Sequence, residues 1–210
     1  FGTFQRLWGH WGGTISGGVR QGLAPPTKRP LVVWQSPPLA EIIRAVNKWS
    51  NNVMTRLLLY SLAVSKFDPP VTKEQGIEVL RDYLKQSNLD DTDLTIDNGS
   101  GLSRNTRVTA ELMNDLLRHA YRDPYMPEFI ASLSINGLDG TTRRRLRDPP
   151  EFGRMHLKTG RLDDVAAIAG YVVAASGTTY SVVLMINHTD VHRGPGRKIQ
   201  DALLTWVHRQ

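Results

Sequence analysis

The stretch MHLKTGRLDD, residues 155–164, places three different chemical capacities side by side. Lys158 carries a fixed positive charge, Thr159 a hydroxyl donor, and Gly160 lets a substrate or another backbone approach closely. On a strand lining a cleft, these residues would hold a carboxylate. The tripeptide alone is equally compatible with a basic turn, but FGRMHLKTG reads as a strand approach and two apolar runs follow it. A second group, Ser50-Asn51-Asn52, pairs a hydroxyl able to relay a proton with the Asn52 amide, which could hold a peptide backbone. Ser50 could also simply cap the helix that follows. The two roles are compatible.

The surrounding pattern indicates which elements would position these groups. Residues 1–35, rich in Gly, Trp and Pro, suggest strand pieces joined by turns, with APPTKRP as a connector. Ser36-Pro37-Pro38 is a plausible helix start, and Leu39, Ile42, Ile43 and Val46 follow at helical spacing. The pattern resumes at Val53, Leu57, Leu58 and Leu62, so KWSNN falls at a bend. Thr72 and Gln75 fit a capping box opening another helix. A turn-rich stretch, SNLDDTDLTIDNGSGLSRNT, leads to a third helix near Thr109–His119. AAIAGYVVAA and TTYSVVLMIN, separated by Ser176-Gly177, predict an antiparallel hairpin buried on both faces. A helix over roughly 195–208 closes the chain. This order favours an α/β or α+β layered domain.

Composition narrows the functional classes. The 210 residues are 40% hydrophobic and 22% charged, an ordinary globular balance. No apolar run approaches the ~20 residues that span a bilayer. The absence of cysteine excludes disulfides, thiol catalysis and Cys-based zinc sites. A net charge of +6 favours anionic partners, but apart from Arg143-Arg144-Arg145 and nearby Arg147 the cations are scattered. No nucleic-acid reading motif accompanies them, so no nucleic-acid partner is expected. His188 and His192 lie in a loop-like stretch without metal-ligand spacing, and GGTISGG lacks the Lys-Ser/Thr ending of a phosphate loop. Neither a metal nor another cofactor is expected.

K-T-G and S-x-N are two of the three motifs of serine β-lactamases and penicillin-binding proteins. With them, PLAEIIRAVNKWSNNVMTRLLL, DNGSGLSR and INGLDGTTRRRL…GRMHLKTGRLDDVAAIAGYV resemble the D-alanyl-D-alanine carboxypeptidase/endopeptidase family of low-molecular-mass penicillin-binding proteins, in the family's order. The resemblance covers nearly the whole chain. It implies a penicillin-binding fold of the serine β-lactamase-like type, an antiparallel sheet flanked by helices. It also implies a periplasmic or secreted serine peptidase that cleaves D-Ala-D-Ala, and some D,D-crosslinks, in peptidoglycan peptides through an acyl-enzyme that β-lactams trap. Carried over by motif, Ser50, Asn52 and Lys158 are catalytic and Thr159, Gly160 and Arg161 bind substrate. The Arg161 backbone N–H would be one of two oxyanion-hole donors. Arg161 itself departs from the Thr or Ser usual after K-T-G, and Asn51 from the more common Asp.

The third motif is missing, since no serine here has lysine three residues on. The resemblance therefore implies the C-terminal part of such an enzyme, an incomplete domain. Residues 1–35 would lead back from an inserted domain and 36–210 would form the rest of the penicillin-binding domain. Such a chain should be inactive alone and should expose an apolar groove prone to self-association. A non-catalytic peptidoglycan-binding module with the same fold is the alternative. In either case Asp97 and Ser100 could shape the cleft or only form turns.

Overall fold

The computed structural model describes residues 1–23, 29–30 and 32–210. The connector expected at APPTKRP falls largely outside them. The chain divides into two compact units, Phe1–Ser36 and Pro37–Gln210. The first contains helix α1, Gly2–His10, where strand pieces were expected. Phe4 and Trp8, one helical turn apart, stack with ring centroids 6.1 Å apart. That aromatic pairing favours a helix despite the glycines, which dominated the sequence reading.

In the second unit, helices α2 (Leu39–Trp49), α3 (Asn52–Val64), α4 (Lys73–Gln86), α5 (Ala110–Arg122) and α6 (Met126–Ser132) precede the sheet. Helix α7, Pro195–His208, closes the chain. Thr72 and Gln75 form the expected reciprocal capping box at the start of α4. Thr109 caps α5, which extends three residues beyond His119 to Arg122. The sheet comprises β1 (Ser134–Ile135), β2 (Met155–Leu162), β3 (Val165–Val173) and β4 (Thr179–Asn187), in that spatial order. All neighbours are antiparallel.

Strand alternation sends successive side chains to opposite faces. One face contributes Met155, Leu157, Ile168, Val172 and Val182, which pack on Leu204 and Val207 of α7. On the other, Ala169, Tyr171 and Val183 meet Leu117 of α5 and Leu133. The Tyr171 hydroxyl donates to the Leu117 carbonyl at 2.6 Å, and burial pushes its pKa up to about 12. A third cluster, Leu84, Leu89, Leu94 and Leu112, joins α4, α5 and the segment between them. The hairpin is not buried on both faces throughout. β3 is largely covered, but most of β4 is half-buried with Tyr180 exposed, because it is the edge strand.

Asn136 binds the sheet entrance together from a fully buried position. Its Nδ2 donates to the Leu146 and Glu151 carbonyls, both at 2.9 Å, and its Oδ1 accepts from the Met155 N–H at 2.9 Å. Every polar atom of that side chain thus has a partner, as burial requires.

Candidate functional site

The break between α2 and α3 creates the first part of the site. Ser50 ends α2 in the left-handed region, φ 54° and ψ 52°, which turns the chain sharply. Capping of α3 falls to Asn51, so Ser50 does not take the alternative capping role, and the Asn51 Oδ1 accepts the Met54 N–H at 3.0 Å. The left-handed turn carries the Ser50 side chain away from the orphan N–H groups of α3. Asn52, the first residue of α3, donates from Nδ2 to the Ser100 carbonyl at 2.7 Å. DNGSGLSR therefore forms turns and also borders the cleft. Ser100 is pinned through its Oγ to Asn98 at 2.6 Å, whereas Asp97 faces Lys73 at 3.5 Å.

The C-terminal end of α2 is held onto the sheet. Lys48 Nζ donates to the Leu133 carbonyl at 2.9 Å and pairs with Asp139 at 2.5 Å. Asp139 also accepts the Ile135 N–H at 2.8 Å. A short 3-10 turn, Gly140–Thr142, nests beside this clamp. Gly140 sits at φ +55°, and a Cβ there would lie 2.3 Å from Ser134 Oγ and 2.7 Å from the Lys48 carbonyl.

β2 supplies the second part. The pleat sends Lys158 and Thr159 to opposite faces. Lys158 Nζ donates to Ser50 Oγ at 2.5 Å, across 108 positions of sequence, and to the Thr159 carbonyl at 2.8 Å. Burial holds its pKa below the usual lysine value, because desolvation disfavours the charged form. The Thr159 hydroxyl turns the other way and donates to the Thr141 hydroxyl at 2.9 Å. Gly160 and Arg161 are exposed. β1 covers only His156 and Leu157, so among the described residues no strand pairs with the outer edge of 158–162. That edge offers backbone donors and acceptors to an extended ligand.

Ser50, Asn52, Lys158, Thr159, Gly160 and Arg161 all line one cavity of about 860 Å³. All six site residues expected from sequence therefore come together. Five further arginines line it, namely Arg143, Arg144, Arg145, Arg193 and Arg197, and among the described residues no Asp or Glu does. Only part of this charge is visible in sequence as the 143–145 run. Arg193 and Arg197 arrive from the turn before α7 and from its first turns, beyond the reach of any local pattern. A second, more apolar groove of about 920 Å³ lies between α5, α6 and the opposite sheet face, lined by Met113, Leu116, Phe129, Leu162, Val165 and Met185 among others.

Elsewhere, Asp164, Asp190 and His192 offer ligand atoms within 4.8 Å of one another, although the sequence showed no metal spacing. These groups already close a turn. His192 Nδ1 accepts the Asp164 N–H at 2.8 Å, and Asp164 Oδ1 accepts the Asp190 N–H at 2.7 Å. Among the described residues no helix is long and apolar enough to cross a membrane.

Known proteins resemble this chain in sequence and in fold. A D-alanyl-D-alanine carboxypeptidase of Actinomadura sp. is 31% identical over 172 residues, covering 79% of this chain and 31% of its own length. The D-alanyl-D-alanine carboxypeptidase DacB of Haemophilus influenzae is 27% identical over 154 residues, covering 72% of this chain and 32% of its own. The chain thus spans about a third of the length of the curated relatives it matches. The crystal structure of penicillin binding protein 4 from Haemophilus influenzae, complexed with a β-lactam, superposes with a TM-score of 0.84 at 24% identity, over 100% of this chain and 50% of that one. A class A β-lactamase representative from Bacteroides cellulosilyticus shares the fold at a TM-score of 0.61 and 18% identity, over 81% of this chain and 62% of that one. The family model of D-Ala-D-Ala carboxypeptidase 3 matches residues 2–210. With two motif groups meeting in one cleft of a penicillin-binding fold, the chain belongs to the D-Ala-D-Ala carboxypeptidase 3 (S13) family.

Proposed function

We propose that the protein carrying this chain is a serine D,D-carboxypeptidase/endopeptidase of the bacterial cell envelope, periplasmic or secreted. It cleaves D-Ala-D-Ala termini and D,D-crosslinks of peptidoglycan peptides, and β-lactams inhibit it. The observation that carries this reading is the 2.5 Å contact between Lys158 Nζ and Ser50 Oγ, made in a cavity that Asn52 also lines beside an open strand edge.

The geometry supports the following roles. The substrate peptide lies along the free edge of β2, its backbone steadied by Asn52. Its terminal carboxylate meets Thr159 and the field of Lys158. A serine from an S-x-x-K segment outside these 210 residues attacks the carbonyl carbon. The Arg161 N–H is one of the donors to the resulting oxyanion. As the C–N bond breaks, the leaving nitrogen takes a proton relayed through the Ser50 hydroxyl, whose own proton is replenished from the serine-lysine side. Water then hydrolyses the ester, releasing the acid and restoring the serine.

A fluorescent penicillin tests this. The full-length protein should be labelled at the serine of an S-x-x-K motif, and Ser50→Ala should slow labelling by roughly 10²–10⁴, the usual worth of a positioned proton relay. The second reading, a non-catalytic peptidoglycan-binding module, is favoured by the lack of S-x-x-K in these residues. A folded full-length protein that binds peptidoglycan peptides but never acylates would establish that reading and exclude the first.

A further inference from the structure

The arginines of the cavity are unevenly neutralised. Arg145 is buried and pairs with Asp201, its Nε at 2.8 Å and Nη2 at 2.7 Å. Arg197 shares that carboxylate at 3.6 Å, and Arg193 pairs with Asp190 at 2.9 Å. Arg143, Arg144 and Arg161 have no carboxylate partner among the described residues. Arg143 instead lies over the Trp49 ring, 5.8 Å from its centroid, and donates to the Gly140 carbonyl at 3.3 Å. Arg197 braces the Arg144 backbone by donating to its carbonyl at 2.9 Å. Gln200, only 4% exposed, also lines the cavity. Several arginines held close together without matching acids repel one another, and a bound anion relieves that cost.

Their position says which part of a ligand they would meet. Thr159 points to this side of β2, and its hydroxyl touches Thr141, which lies two residues before Arg143. Resting on the proposed peptidase reading, the carboxylate at Thr159 belongs to the residue leaving with the broken bond. Anything attached to that residue extends over the arginines. We propose that Arg143, Arg144 and Arg161, with Gln200, form a second anion subsite that selects leaving groups bearing a further carboxylate. The first carboxylate stays with Thr159, and the second is held by guanidinium donors, which suit planar carboxylates better than ammonium groups do.

The test uses the full-length protein and two acyl-D-alanyl substrates that differ only in charge, with D-glutamate or its neutral isostere D-glutamine as the leaving residue. The wild type should cleave the D-glutamate substrate with about tenfold higher kcat/KM, the worth of one charge-assisted contact. Added salt should shrink that ratio. Arg144→Gln, at an exposed side chain, and Arg143→Gln/Arg144→Gln should bring it toward one, whereas Lys85→Gln, on α4, should leave it unchanged. A ratio near one in the wild type, or one that survives the double substitution in protein still acylated by penicillin, overturns the subsite. Failure of penicillin to acylate the wild type would instead overturn the peptidase reading on which it rests.

Discussion

Burial around Lys158 favours its neutral form, whereas a carboxylate ligand favours its charged form. The sign of the resulting pH dependence follows. The lysine pKa is lowered, so its charge is lost as pH rises through a value below the ordinary 10.5. Acylation by benzylpenicillin, itself a carboxylate, should therefore show an alkaline limb earlier than an ordinary lysine would give. Lys158→Arg should remove that limb while lowering the overall rate, because a guanidinium stays charged but fits the Ser50 contact poorly. Persistence of the same limb in the arginine variant would assign it to another group. Both partners of the contact were legible as motif residues. Their pairing was not, since 108 positions separate them and only the left-handed turn at Ser50 brings the hydroxyl round.

Elements were legible where a local rule acts strongly. The Thr72–Gln75 box, the Ser176-Gly177 turn and the span of α7 follow from capping, turn chemistry and spacing that neighbours a few residues away impose. α6 and β1 escaped notice because seven residues opening on Met126-Pro127, and a two-residue strand, carry no readable period. These small elements nevertheless hold the site in place. The 3-10 turn beside β1 depends on Gly140, whose positive φ and close neighbours leave no room for a methyl group. Gly140→Ala should destabilise the fold by about 2–4 kcal/mol, lowering the thermal midpoint by roughly 5–15 °C in a circular-dichroism melt. An unchanged midpoint would mean that the Lys48–Asp139 clamp and the turn yield together.

For the molecule as a whole, the two faces of the sheet have different needs. α7 seals one face with Leu204 and Val207. The other opens onto the apolar groove of about 920 Å³, bordered by Met113, Phe129, Leu162 and Met185. Exposed apolar surface of this kind is costly in water. The 210-residue chain alone should therefore dimerise reversibly, as sedimentation velocity across a concentration series would report, and should not react with a fluorescent penicillin. Met185→Glu, which places a charge in the groove, should weaken the association. Concentration-independent monomers would show that the groove closes by itself. Sequence anticipated such a groove only through the family resemblance. Its lining comes from five separate stretches, at 47, 101–117, 129–133, 158–169 and 185–189, and no local pattern joins them.

The open edge of β2 also has a colloidal consequence. Unpaired strand edges invite pairing with the edge of another molecule, and charged residues along them discourage it. Here Lys158 and Arg161 occupy the free stretch, so two copies meeting edge to edge would oppose cations to cations. The charges suited to an anionic ligand thus also act as solubility guards. Concentrated salt would weaken ligand capture and edge protection together, so low-salt buffers are the better storage medium for the chain.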